Sequence, residues 1–524
     1  MRRSSGILVH PTSFPSPYGI GDMGAGAYEF VDFLKDAKQS LWQILPLGPT
    51  SFGDSPYQSF STFAGNPYLI SLDLMIDQGY LRMSDLQNKP AFLDSKVDYG
   101  PVIEYKMTML RKAFEVFTLY GNERQKRAFE IFRSENAGWL DDFSLFLAIK
   151  QYFIEQRRYD YNSPYYNEYR QKNREFLTEA QTRDYFYGAV WSSWPEPLVN
   201  RDGAALKEWG EKLADDIRFY QFLQYEFFRQ WVLLKRYAND TDISIIGDIP
   251  IFVAMDSSDV WANKELFQLD ARGNPLAVAG VPPDYFSETG QLWGNPLYFW
   301  PAHKKDNYNW WVSRIKSAFK LVDMLRIDHF RGFESYWSVP FGEKTAVNGK
   351  WIKGPGIDLF QALGPLPIIA EDLGVITDEV AELRDKSGFP GMRVLQFAFG
   401  SDSADKFLPH NYETTKTVVY TGTHDNNTTC GWYETEATEK ERDYFRRYMD
   451  ISGDNAAWDM IRLAFSSSAD CAVIPIQDVM NLGAGYRMNI PGVAEGNWQF
   501  RYTREMLTAR MADGLKYFGF IYNR

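Results

Sequence analysis

Eight short runs of apolar, β-branched-rich residues recur along this chain, and most are followed by a segment with helical periodicity. They occupy residues 6–10, 41–47, 243–248, 322–328, 367–372, 392–399, 417–421 and 471–475. Strands alternating with helices in this way build a parallel sheet, and eight such units predict an α/β fold of the closed (β/α)8, or TIM-barrel, type. Segments 28–38 and 378–386 show the amphipathic pattern expected of the outer helices.

The spacing of the runs is uneven, which places two elaborations on one barrel. The whole chain, residues 1–524, reads as a single catalytic barrel domain. Residues 48–240, after the second strand, form a large insertion. Its apolar and aromatic residues at helical spacing, such as Leu145, Phe146, Ile149, Tyr152 and Phe153, then Phe219, Phe222, Leu223 and Phe227, predict a mainly helical structure. Residues 250–320, after the third strand, are different. Positions 263–307 are dense in Gly, Pro and Asn with aromatics expected to be exposed, which reads as a loop-rich lobe at the barrel rim. Loops of that kind carry function more often than outer helices do.

Composition narrows the partners. The net charge of −12 argues against a nucleic-acid partner, because phosphate binding needs a basic excess. Only two cysteines, Cys430 and Cys471, are present, so a disulfide framework is not expected and a reducing, cytoplasmic location is. No apolar stretch reaches the length of a membrane span, and the apolar run near the N-terminus is too short for a signal peptide. Aromatic residues make up 16% of the chain, an excess assigned mainly to the helical insertion, with a few rings free to stack on ligand. The sequence carries no signal for oligomeric state.

In a (β/α)8 barrel the reacting groups sit at the carboxyl ends of the strands. Asp248 closes the third run, Asp328 the fourth and Glu371 with Asp372 the fifth, while Asp425 follows the seventh. Any one of them can be a helix cap or a solvated charge; four in register are harder to read that way. Arg326 lies two residues before Asp328, on the same strand face, where a guanidinium keeps a carboxylate ionised. Glu371 follows Ile368, Ile369 and Ala370, an apolar setting that raises a carboxyl pKa. One carboxylate held charged and another held protonated is the pairing that glycoside chemistry needs.

Other chemistries are less well supported. His329 and His424 adjoin the acids, but no metal-ligand spacing is present, so no metal is expected and neutral donors to sugar hydroxyls are. Gly19 to Gly24 matches G-x-G-x-x-G without a preceding strand, so no dinucleotide cofactor is expected. A G-x-S-x-G elbow is absent. Tyr57 and Trp293, in rim loops, are candidates for stacking on pyranose faces.

The ordered segments His10-Pro-Thr-Ser-Phe-Pro, Gly19-Ile-Gly-Asp, Leu45-Pro-Leu-Gly-Pro-Thr, Asp54-Ser-Pro-Tyr-Gln-Ser, Phe63-Ala-Gly-Asn-Pro-Tyr, Gly247-Asp-Ile-Pro-Ile-Phe-Val, Pro282-Pro-Asp-Tyr-Phe-Ser, Arg326-Ile-Asp-His-Phe-Arg-Gly, Ala370-Glu-Asp-Leu-Gly, Thr423-His-Asp-Asn and Arg487-Met-Asn-Ile-Pro-Gly span the chain. Together they resemble the amylomaltases, the 4-alpha-glucanotransferases of glycoside hydrolase family 77 in the alpha-amylase clan, in the short form without an N-terminal extension. The resemblance implies that Asp328 is the nucleophile, Glu371 the general acid/base and Asp425 the transition-state stabiliser. It also implies substrate contacts by Ser55, Tyr57, Asp248, Arg326, His424 and Asn489, and a mobile loop around Asp284, Glu288 and Trp293 over the acceptor side. Phe52 departs from the pattern, standing where some members carry Tyr.

The implied reaction is transfer of alpha-1,4-glucan segments between maltooligosaccharides by a retaining double displacement, which requires nucleophile and acid carboxyls about 5–5.5 Å apart. The readings left open are a hydrolase of the same clan and, from another class, a non-catalytic glucan-binding protein.

Overall fold

A computed structural model describes residues 2–158, 160, 163–283, 287–493 and 495–524, without the side chain of Phe52. The eight expected runs form eight strands: β1 Ser4–Leu8, β2 Leu41–Gln43, β3 Ser244–Pro250, β4 Met324–Asp328, β5 Ile368–Ala370, β6 Gly391–Val394, β7 Thr417–Tyr420 and β8 Cys471–Pro475. All are parallel, in the order β6-β7-β8-β1-β2-β3-β4-β5. The seam between β5 and β6 is bridged by Ala370 N donating to Pro390 O at 3.0 Å, which nearly closes the barrel. Side chains such as Ile7, Trp42, Ile245, Ile327, Ile369 and Val419 are wholly buried, as parallel strands covered on both faces must be. Gly6 is needed at the β1–β2 contact, where an added Cβ would lie 2.1 Å from Leu41 O.

Helix α1 (Ala25–Asp36) covers β1 and β2 with the stripe Phe30, Val31 and Leu34. The stretch between β2 and β3 is helical, and three long helices carry it: α2 (Tyr99–Tyr120), α3 (Glu123–Arg157) and α4 (Ala214–Asp240). Helix α3 starts where its propensities say it should. Asn122 accepts from Gln125 N and the Gln125 side chain accepts from Asn122 N, satisfying two donors that a helix N-terminus otherwise leaves unpaired. Phe114, Phe117, Phe129 and Phe222 interlock between these helices, with Phe117 and Phe222 stacked at 4.9 Å. Much of the aromatic excess lies here. Helix α4 then returns to the barrel, where Trp231 packs on Trp42 and donates to Leu321 O.

The rim lobe is more ordered than its composition suggests. Strands Ala277–Val281 and Gln291–Pro296 join Ser335–Pro340 and Lys350–Lys353 in an antiparallel four-stranded sheet, in which the last two strands come from beyond β4. Among the described aromatics of residues 263–307, Phe267, Tyr298 and Trp300 are buried, Trp293 is half-buried and Phe299 is exposed. The buried rings meet at Tyr298, 5.2 Å from Phe267 and 5.0 Å from Trp300, whose hydroxyl accepts from Arg314, itself fully buried and donating also to Thr62 Oγ1, Pro250 O and Ile251 O. Among the described residues, no helix is long and apolar enough to cross a membrane.

Candidate active site

Strand register decides which side chains meet at the barrel mouth. Asp248 pairs with Arg326 and Pro250 with Asp328 between β3 and β4, and Ile327 pairs with Ala370 between β4 and β5. Asp328 and Glu371 therefore emerge side by side at the carboxyl ends of adjacent strands. Arg326 sits beneath them, with Nη1 2.6 Å from Asp248 Oδ2 and Nη2 2.9 Å from Asp328 Oδ1. Asp248 and Arg326 are buried, whereas the Asp328 side chain keeps 29% of its surface exposed toward the mouth. The two carboxylates hold the Arg326 guanidinium well above its ordinary pKa, against the effect of burial, so it stays charged.

Glu371 is held by backbone. Its Oε2 accepts from His329 N at 2.7 Å and its Oε1 from Leu373 N at 2.8 Å. Those donors and Arg326 favour the anion. Burial and the charge of Asp328 oppose it more strongly, and the carboxyl is pushed up to about 8. His329 reaches Glu371 because its backbone is left-handed, φ 52°, a conformation costing a non-glycine residue on the order of 1 kcal/mol. Gly332 permits the turn to pack, since a Cβ there would lie 2.7 Å from Ile251 Cδ1. The His329 ring lies edge-on to Trp293 at 4.8 Å, and burial lowers its pKa to about 4, leaving it neutral.

On the opposite wall, Asn489 Nδ2 donates to Asp425 Oδ1 at 2.6 Å and His424 Nε2 lies 3.4 Å from the same oxygen. Tyr57 joins the two walls: its hydroxyl donates to Asp248 Oδ2 at 2.9 Å and its ring stacks on His424 at 5.1 Å. Burial and Asp248 push the Tyr57 hydroxyl well above 10, so it remains a donor. Tyr57, Asp248, Arg326, Asp328, Glu371, His424, Asp425 and Asn489 thus share one mouth. Ser55 is next to it, with its hydroxyl accepting from Tyr57 N and setting the turn that presents the ring. Glu288 is exposed, just before the strand that carries Trp293. Asp284 lies outside the described residues.

Two groups had no assigned role from sequence. Arg487, two residues before Asn489, donates to Asp425 O and Asn489 O and pairs with Glu436, clamping both residues from behind. His10 is buried next to His424, and burial with that neighbour lowers its pKa to about 3. The same strand end separates two acids that sequence had left together. Asp372 points away from the mouth, accepting from Met392 N at 2.7 Å and pairing with Arg384 at 2.5 Å, and so joins β5 to β6 and the following helix. Among the described residues, no group of three or more His, Cys, Asp or Glu side chains is arranged to hold a metal ion.

A family model described as 4-alpha-glucanotransferase matches residues 9–508. The chain belongs to the 4-alpha-glucanotransferase family. It is 47% identical to the 4-alpha-glucanotransferase of Synechocystis sp., covering 100% of this chain and 98% of that one, and 46% identical to that of Thermus thermophilus, covering 95% and 94%. Its structure superposes on the amylomaltase of Streptococcus agalactiae, solved with acarbose, with a TM-score of 0.90 at 40% identity over all of both chains. The 4-alpha-glucanotransferase reading therefore prevails over a hydrolase of the clan and over a non-catalytic glucan-binding protein.

Proposed function

We propose that the enzyme transfers alpha-1,4-glucan segments to the 4-hydroxyl of another maltooligosaccharide or of glucose by a retaining double displacement, giving disproportionation and, where the acceptor is the chain's own end, cyclisation. The observation that carries this reading is the pairing of Asp328, bound to Arg326, with a half-buried Glu371 whose carboxyl is pushed up to about 8. At neutral pH one group is suited to attack and the other to give a proton.

Asp328 attacks the anomeric carbon while the bond to the leaving O4 breaks, and Glu371 passes its proton to that oxygen. The product is a glycosyl ester on Asp328. Esterification removes the Asp328 charge that helps raise Glu371, so the carboxylate left by proton transfer is less disfavoured and serves as base. It takes the proton of an acceptor 4-hydroxyl, whose oxygen displaces Asp328 from the anomeric carbon with net retention. Asp425, oriented by Asn489, holds sugar hydroxyls as positive charge builds on the ring. Tyr57, Asp248, Arg326, His424 and Asn489 contact the sugar, and the segment with Glu288 and Trp293 covers the acceptor side. Transfer requires an acceptor sugar to outcompete water, which such a cover favours.

Residues 1–524 act as one catalytic unit, with 48–240 and 250–320 as its elaborations. The chain has only two cysteines, Cys430 and Cys471, too few for a disulfide framework, which supports a cytoplasmic location. The net charge of −12 suits an uncharged sugar polymer and not nucleic acid. Incubation with maltotriose tests the reaction. Glucose together with a ladder of longer oligosaccharides is the expected product pattern, and glucose with maltose and no ladder would replace transfer by hydrolysis.

A further inference from the structure

The two N–H groups that hold Glu371 come from different segments. His329 N belongs to the turn after β4, and Leu373 N to the turn after β5. Phe330 N also donates to Glu371 O at 3.1 Å, so the acid's backbone and carboxyl both depend on how these two turns sit against each other. The second turn is poorly anchored at its tip, where Val375 is 63% exposed and follows Gly374 in a left-handed conformation.

One side chain ties the two turns together. Arg331, three residues beyond Asp328 and only 7% exposed, donates from Nη1 to Val375 O. Its guanidinium lies 3.9 Å from the centre of the Trp351 ring, on the strand Lys350–Lys353 of the rim sheet. That strand is itself secured by Lys353 pairing with Glu334, whose other oxygen accepts from Ser335 Oγ. Arg331 therefore runs from the rim sheet to the tip of the turn that carries Leu373, and the left-handed turn at His329 sends it there.

We propose that Arg331 is a positioning residue for Glu371: seated on Trp351 and bound to Val375 O, it fixes the turn after β5 so that Glu371 stands ready for proton transfer. The inference rests on the reading of Glu371 as acid/base. The Arg331 side chain binds Val375 O and the Trp351 ring, on the side of the turn that carries Leu373, so its influence is on the placement of the proton-transferring group and not on the nucleophile.

The test uses two donors that differ in their need for Glu371. Maltotriose needs a proton on its leaving oxygen and a base for its acceptor. Alpha-maltosyl fluoride expels fluoride unaided, and azide then displaces Asp328 from the glycosyl ester to give alpha-maltosyl azide, with no base required. Arg331→Met should lose about 10- to 100-fold in kcat on maltotriose, the scale of an ångström-level misplacement of a catalytic group. Its KM should change little, and its rate on fluoride with azide should stay within about threefold of wild type. Arg331→Lys, which keeps a donor and a cation over the indole, should recover most of the maltotriose rate. Trp351→Ala, at a ring 41% exposed, should show the same pattern as Arg331→Met in weaker form and serves if that variant folds poorly.

Equal loss on both donors, or no loss on maltotriose, would overturn the positioning role. Glu371→Gln run in parallel separates the two claims. If that variant is itself not spared on fluoride with azide, the acid/base reading fails. If it is spared and Arg331→Met is not, only the positioning inference fails.

Discussion

Asp328→Asn is expected to lower kcat on maltotriose by at least about 10⁴-fold, the loss typical of removing a nucleophile, while the melting temperature stays close to wild type. The amide has no charge with which to attack and is a poor leaving group, so neither half of the displacement proceeds. The fold should tolerate it because Arg326, buried beneath, keeps its 2.6 Å pair with Asp248, and the Asn Oδ1 can still accept from Nη2. Measuring glucose release alongside a thermal melt separates the two effects. A loss under about 100-fold with the fold intact would remove Asp328 from the nucleophile's role.

Glu371→Gln is expected to cost about 10²- to 10⁴-fold on maltotriose, the range of general acid/base contributions, and to change the pH profile as well. In the wild type the carboxyl, pushed up to about 8 by burial and by Asp328, is protonated below that pH and loses its proton above it. The working acid is therefore present at neutral pH, and kcat/KM on maltotriose should fall about tenfold per pH unit once the pH exceeds about 8. Glutamine has no proton to lose, and its variant should show no such alkaline limb. An unchanged limb in that variant would assign the titration to another group.

The barrel was legible because parallel strands buried on both faces are written as apolar runs, and all eight appear where those runs lie. Arg326 and Asp328 were legible by parity along one strand. Neighbouring residues point to opposite faces, and that separates Glu371 from Asp372: the first enters the mouth and the second ties β5 to Met392 N and Arg384. The rim sheet was not legible. Its strands are short, Gly- and Pro-rich, and split between the stretches before and after β4, so no local pattern reports their pairing. Nor could sequence show that Phe267 and Tyr298 are buried, since Arg314, lying beyond them in the chain, binds the Tyr298 hydroxyl and Phe267 packs on the Tyr298 ring. Arg331 and Arg487 were present in quoted segments, but each binds backbone carbonyls, which leave no trace in residue identity, and a side chain from a separate segment, Trp351 or Glu436.

Trapping the glycosyl-enzyme tests the central claim most directly. Glu371→Gln, lacking the base that completes transfer, is mixed with alpha-maltosyl fluoride, quenched in acid and digested, and the peptides are weighed. The peptide containing Asp328 should be heavier by one maltosyl residue, with the ester mapped to Asp328 and absent from the Asp328→Asn, Glu371→Gln double variant. An unmodified Asp328 peptide, an adduct on another side chain, or products of inverted configuration would contradict a double displacement through Asp328.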